Sequence, residues 1–387
     1  MERALYGPRG FYRTRGGPAA HFRTSVHASP LFATAIVRLL REIDDALGHP
    51  DEIALVDVGA GRGELLESVR TQLADERDSS DPLTSNPLTT DALTSELLAS
   101  NRPSGDPFAS NPSAGEPLTG NLPASHLPTD HPFASGPPAS NPPTNGPPAS
   151  EPLASNPPAS EPRARDPLVR DSLADRLRLI AVELANRPDN LITEIEWRNE
   201  LPEAGTVTGL LVANEWLDNV PCDVVQATHG GWRSVEVAAD GTERLGAAPS
   251  REQQAWLSTW WPTDGSSDPA GPPQRAEVGS TRDAAWQKAV AALAHGVAIA
   301  IDYAHTRTSR PHFGTITGYA QGRQTVPIPD GSCDITAHVA LDACAAATRA
   351  EWTVQSDQRT VFHSLGITGA RPALSLASSD PRGYLRA

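Results

Sequence analysis

Asn214, Glu215 and Asp218 fall within one turn of chain in the stretch ANEWLDNVP. Carboxylates so placed can clamp a guanidinium bidentately. A second group is Asp57 with Gly59, Gly61 and Gly63 in VDVGAGRG. Glycines let backbone N–H groups come close to a ligand, because no side chain intervenes. Glu183 ends the apolar run LRLIAVEL, and His338 sits in DITAHV. His338 is a candidate general base or acceptor contact, although a lone histidine more often serves structure. Asp302 and Tyr303 end another apolar run, where Asp302 could line the same pocket or cap a turn.

The glycine spacing is G-x-G-x-G, not the G-x-G-x-x-G that packs a helix beneath a dinucleotide pyrophosphate. A tighter loop preceded by an acid suits S-adenosylmethionine, which carries no phosphate. Loop N–H groups would meet its carboxylate, and Asp57 would help hold its ammonium. A ribose-binding acid belongs at the end of the strand next to such a loop. Glu183 meets that requirement once the intervening repeat is set aside. Asn214 could contact the cofactor as well as the acceptor. The plain alternative for the loop is an ordinary strand-to-helix turn. The plain alternative for NEWLD is a helix N-terminus with Asn214 as its cap.

The elements that must position these residues are legible in the apolar pattern. SPLFATAIVRLLREIDDAL is an amphipathic helix with Ser29 as N-cap and Pro30 in the first turn. IALVDV is a buried strand, and GELLESVRTQLADER is the helix that follows. Leu177 to Leu184, Thr208 to Trp216 and Gly296 to Ala304 read as further parallel strands. Continuous apolar strands alternating with helices indicate a sheet covered on both faces. CDVVQATHGGWRSVEVAADG alternates and turns at Gly230-Gly231, as an antiparallel hairpin does. Trp256, Trp260 and Trp261 are expected to pack a satellite core. Asp334 is expected to order the turn before its strand.

From Asp81 to about Arg170 the chain keeps a five-residue beat (DPLTS, NPLTT, DPFAS, NPPAS) that holds 20 of its 37 prolines. Proline at that density excludes regular helix or sheet, and a period of five buries no face. The segment reads as a disordered insertion tolerated in a surface loop. The net charge of -15 argues against a nucleic-acid binder. Cys222, Cys333 and Cys344 form no CxxC pair, so neither a disulfide framework nor a metal site is implied. The absence of an apolar leader or of any spanning apolar run gives the expectation of a cytoplasmic protein without membrane contact.

Several stretches together resemble the MidA-type class I methyltransferases, which include the mitochondrial complex I assembly methyltransferase. They are ALYGPRGFY, HFRTSVHASPLFA, VDVGAGRGEL, IAVEL, ANEWLDNVP, IDYAH and GSCDITAHV. They follow family order and cover nearly all the chain outside the repeat. Three departures stand out: Asp57 replaces a glutamate, SVHASPLF loses one, and Trp216 replaces phenylalanine in the acceptor loop. The resemblance implies an α/β fold: a Rossmann-like seven-strand class I methyltransferase sheet with an added substrate-covering subdomain, interrupted by the Pro-rich insertion. The expected layout has an N-terminal arm and the first part of the cofactor domain at 1–78, and the repeat at 79–170. The cofactor domain continues at 171–221, the covering subdomain takes 222–295, and the cofactor domain closes at 296–387. The activity implied is methyl transfer from S-adenosyl-L-methionine to a protein side chain, with arginine the acceptor of the mitochondrial relative. A small-molecule methyltransferase and a cofactor-binding assembly scaffold are the alternatives. The expected partner is an acceptor protein; neither its identity nor the oligomeric state can be read.

Overall fold

The structure, a computed structural model, describes residues 1–13, 30–78, 172–262, 272–368 and 374–379. A short N-terminal helix, α1 (Glu2–Tyr6), precedes α2 (Pro30–Ala46), which buries Phe32, Ile36, Val37, Leu40 and Ile43 along one stripe. Pro30 opens α2 as expected; Ser29 lies outside the described residues. Strand β1 (Ile53–Val58) is buried throughout and feeds α3 (Glu64–Asp78). After a helical turn, α4 (Leu173–Arg176), come β2 (Leu177–Val182), β3 (Ile195–Arg198) and β4 (Val207–Asn214). Next are the hairpin β5 (Asp223–Thr228) and β6 (Gly231–Val237), then β7 (Glu243–Leu245) and α5 (Arg251–Trp260). Strand β8 (Arg275–Val278), α6 (Ser280–Ala291) and β9 (Leu293–Ile301) return the chain to the centre.

The central sheet runs β3-β2-β1-β4-β9, every pairing parallel. Successive strand residues point to opposite faces, and both faces are covered. Leu55, Leu179, Leu210 and Val212 pack with α2 and α3. Val56, Ile180 and Leu211 pack on the other face with Trp286 and Ala289 of α6. The resemblance implied seven strands, but the described residues give this sheet five. Past β9 the chain is polar and rich in glycine and proline through residues 306–332, so it lacks the apolar runs that a doubly covered strand needs. It forms short separate pairings instead. β10 (Ala304–His305) pairs with β14 (Val339–Ala340), and β11 (Thr317–Ala320) lies between β12 (Arg323–Thr325) and β13 (Asp334–Thr336).

The hairpin is present, with His229-Gly230 at its tip because Thr228 pairs with Gly231. It belongs to a second sheet, β7-β6-β5-β8. Trp256 and Trp261 are buried against Val225, Ala276 and Val278 of that sheet, with Trp260 partly buried beside them. The satellite core is therefore as expected. Among the described residues no helix is long and apolar enough to cross a membrane. The repeat at 79–170 lies outside the described residues.

The chain resumes after the repeat at a buried ion pair. Arg176 of α4 donates to both carboxylate oxygens of Asp44 in α2, at 2.7 and 2.6 Å, and to the carbonyl of Pro50 at 2.7 Å. The pair, aided by His49, holds the Asp44 carboxyl below its ordinary range. Breaking a buried pair strands the remaining charge, which costs about 3–5 kcal/mol. Replacing Arg176 with methionine should therefore lower unfolding free energy by about that amount, read from urea titrations at neutral pH. A loss below about 1 kcal/mol would mean that the pair does not pin this junction.

Candidate functional site

Strands β1 and β2 run in register from Ile53/Leu177 to Val58/Val182, so the residues just past their ends are neighbours. Gly59 and Ala60 donate their N–H groups to the Val182 carbonyl, at 2.9 and 3.3 Å. Glu183 then comes against the glycine loop: Gly61 N–H donates to its Oε2 at 3.0 Å and Ala185 N–H to its Oε1 at 3.0 Å. Gly59, Gly61 and Gly63 all have positive φ, which L side chains rarely adopt. A Cβ on Gly59 would lie 2.9 Å from Cδ1 of Trp216, whereas one on Gly61 would meet nothing closer than Glu64 Oε2 at 3.8 Å. The loop is thus closed by an indole at its first glycine and open at its second. Behind it Asp57 is buried in β1, and burial, then the charges of Glu183 and Glu64, push its carboxyl up to about 7. Burial also raises Glu183, against the lowering effect of its N–H donors.

The neighbouring strand ends build the second half. Val58 pairs with Ala213, and Asn214 pairs with Ile301. A strand was expected to continue to Trp216; it stops at Asn214 because Glu215 turns into the left-handed region, φ +49°. A 3-10 turn, Leu217–Asn219, follows. Asp302, not Asn214, caps it: Asp302 Oδ2 accepts the N–H groups of Leu217 and Asp218 at 3.0 and 3.1 Å. Asp218 is held at its other end by Thr336, whose hydroxyl donates to Asp218 Oδ2 at 2.6 Å. The buried Arg282 of α6 gathers the surrounding backbone. Its guanidinium donates to the carbonyls of Asp218 (2.7 Å), Val220 (3.0 Å), Ala337 (2.9 Å) and His338 (2.8 Å).

The N-terminal arm seals this loop. The Tyr12 hydroxyl donates to Asn219 Oδ1 at 2.7 Å and approaches Asp334 Oδ1 at 3.2 Å; Tyr6 donates to the Asn219 carbonyl at 3.2 Å. The two rings stack with centroids 5.4 Å apart. Asp334 was expected to order its own turn; its carboxylate instead takes Tyr12 and the Asn219 side-chain amide. Burial, then the charge of Asp218, push the Asp334 carboxyl up to about 7. Burial also raises Asp218 and Asp302. The Tyr6 hydroxyl is raised by burial and then by Asp334, Glu183 and Asp218, so it feels the charges of both halves of the site.

Asn214 Oδ1 and Asp218 Oδ1 are buried and find no hydrogen-bond partner among the described residues. Buried acceptors normally have donors, so this pair points to a ligand rich in N–H groups. Glu215 is half-buried beside them. His338 stands at the rim: its ring is exposed and stacks on Tyr303, 5.9 Å away, rather than bonding to a carboxylate. The charge of Glu215 is the largest influence raising Tyr303, which places that tyrosine at the same rim. Sequence reasoning assigned no role to Tyr6, Tyr12, Asn219, Arg282 or Thr336. The motifs ALYGPRGFY and DITAHV contain three of these, but nothing in their spacing says what they touch. A cleft of about 500 Å³, lined by Glu52, Arg178, Arg198 and Thr208, opens at the amino ends of the strands. Ligands of open α/β sheets bind at the carboxyl ends, where all the residues above converge.

Residues 167–358 match a protein family described as "Putative S-adenosyl-L-methionine-dependent methyltransferase". The matched segment holds Glu183, Asn214, Glu215, Asp218, Arg282, Asp302 and His338; the glycine loop and the N-terminal arm precede it. Two solved structures from Burkholderia thailandensis share the fold. One is a COG1565 superfamily member and likely methyl transferase bound to S-adenosyl-homocysteine, 20% identical, with a TM-score of 0.59, covering all of this chain and 80% of that one. The other is a native structure of an uncharacterized COG1565 superfamily protein, 21% identical, with a TM-score of 0.55, covering all of this chain and 79% of that one. No curated protein sequence matches the chain. Over residues 167–358, just under half of its length, the chain is thus similar to the S-adenosyl-L-methionine-dependent methyltransferases of that description.

Proposed function

We propose that this protein moves a methyl group from S-adenosylmethionine to a nitrogen of an arginine side chain in an acceptor protein. One observation carries the acceptor half of this reading: two buried oxygens, Asn214 Oδ1 and Asp218 Oδ1, have no donor among the described residues where the sheet edge meets the glycine loop. An arginine guanidinium offers five N–H donors in a planar fork and a positive charge. Glu215 adds a carboxylate on the solvent side of the same turn.

The cofactor half rests on fit. Open space at Gly61, a Glu183 carboxylate fixed by two N–H donors, and buried Asp57 suit a zwitterionic ligand that bears a ribose. A related fold from Burkholderia thailandensis holds S-adenosyl-homocysteine, which supports the same assignment. When bound, S-adenosylmethionine supplies an electrophilic methyl on a sulfonium. The loop N–H groups would take its carboxylate, Asp57 its ammonium and Glu183 its ribose. Asn214 stands between the two halves and would touch both ligands. The arm residues Tyr6 and Tyr12 hold the acceptor loop in place through Asn219. Positioning of this kind supplies much of the barrier lowering in a transfer between two bound groups.

Two outcomes follow. Incubating the purified chain with methyl-labelled S-adenosylmethionine and a lysate should label protein, and mass spectrometry should place the label on arginine. Label found only on small molecules would overturn the acceptor assignment. Asp57, lifted to about 7, is largely protonated at pH 6; an ammonium arriving beside it favours the carboxylate. S-adenosyl-homocysteine binding at pH 6 should therefore release protons, seen as a calorimetric heat that varies with buffer ionisation enthalpy. Asp57→Asn should abolish that variation.

A further inference from the structure

Methylation leaves the acceptor nitrogen with one proton too many, and some group must take it. We propose that Asp218 Oδ1 is that group, a step that rests on the acceptor reading given above.

Three other carboxylates at this edge are bonded to their surroundings. Glu183 spends one oxygen on Gly61 and the other on Ala185. Asp302 spends Oδ2 on Leu217 and Asp218 and Oδ1 on the N–H of Tyr303. Asp334 takes Tyr12 and Asn219 on one oxygen and lies beneath the arm. Asp218 gives Oδ2 to the Thr336 hydroxyl and keeps Oδ1 buried with no hydrogen-bond partner among the described residues. It is also held at three points: its N–H by Asp302, its carbonyl by Arg282, and its carboxylate by Thr336. A proton acceptor needs that combination of a free oxygen and a fixed direction.

The step balances as follows. The nitrogen lone pair forms the N–C bond while the methyl's C–S bond breaks, its electron pair staying on sulfur, which ends neutral. An N–H bond then breaks with its pair left on nitrogen, and the proton passes to Oδ1, giving a neutral carboxyl group. The surroundings tune this acid in both directions. Burial raises its affinity for a proton and the charge of Glu215 adds to that, while the Thr336 hydroxyl, the Arg282 charge and the Asn219 N–H lower it. Tyr6 and Tyr12 of the arm, Asp302 and Tyr303 past β9, and Asp334 of β13 are the other titratable groups that interact with it.

The test uses the full chain with Asp218→Asn, which keeps the shape of the side chain. Calorimetry should find its affinity for S-adenosyl-homocysteine within about threefold of wild type, showing an intact fold, while transfer to lysate protein slows by about 10²- to 10⁴-fold. Thr336→Val removes a donor that favours the ionised form. Carbon NMR of aspartate-labelled protein, with Asp218 identified by its loss in Asp218→Asn, should show the carboxyl titrating at higher pH in Thr336→Val. The rising limb of the pH–rate profile should move with it. Near wild-type transfer by Asp218→Asn overturns the assignment, as does a rising limb that stays still while the Asp218 titration moves. If wild type itself labels nothing in the lysate, the acceptor reading falls and the assignment falls with it.

Discussion

A single buried guanidinium organises the acceptor side of this protein. Arg282 is almost wholly buried, yet among the described residues it donates to no carboxylate; its bonds go to four carbonyls, in the 3-10 turn and just past it at 218–220 and in the connector 337–338. Short turns and connectors leave carbonyls that need donors, and a fork of five N–H groups can serve several of them at once. The cation itself must be compensated, because burying an isolated charge costs several kcal/mol. Asp218 and Asp302 supply the compensation from nearby, and each is lowered in turn by the Arg282 charge against the effect of burial. The loop that carries Asp218 is therefore fixed by α6 beneath it, by Asp302 at its start and by the tyrosines of the arm at its end.

That fixation explains why the remaining irregularities can persist. Leaving a buried acceptor unsatisfied costs about 1–3 kcal/mol, and a non-glycine residue in the left-handed region costs a similar amount. Asn214 and Asp218 show the first, Glu215 the second, and they share one turn. One strained residue and two unmet acceptors meeting in a single turn are what a ligand site holds before its ligand arrives. The amino edge of the same sheet differs: its arginines are met by carboxylates, as in Arg178 with Glu52 and Glu196.

Period and composition made the scaffold legible. Unbroken apolar runs marked β1, β2, β4 and β9, and the spacing of Phe32, Ile36, Leu40 and Ile43 marked α2. The proximity of Glu183 to Gly61 could be read because parallel strands put their ends side by side, however long the connection. Strand β3 could not: IEWR carries two charges in four residues and lies at the sheet edge, where burial is only partial. The count of seven strands came from resemblance rather than from apolar runs, and residues 306–332 offered none to supply it. Arg282 was equally hidden. Its partners lie 55 to 64 residues away in sequence, and long-range side-chain-to-backbone bonds leave no local pattern. Asp302 was open between pocket lining and capping, and the structure gives it the cap.

The two described segments that flank the repeat, α3 and α4, both meet the central sheet at one edge. Helix α3 starts at the glycine loop and runs back against β1, so its last turn lies toward the amino edge of the sheet. The chain resumes at α4, also at that edge, where Arg176 binds Asp44 and the Pro50 carbonyl just ahead of β1. Both junctions thus face away from the carboxyl ends, where the glycine loop, Glu183 and Asp218 converge. Closing a longer loop between fixed points adds only about 0.6 kcal/mol per doubling of its length. An insertion at this position can grow by repetition while the pairing that brings Glu183 to Gly61 stays under the control of β1 and β2 alone.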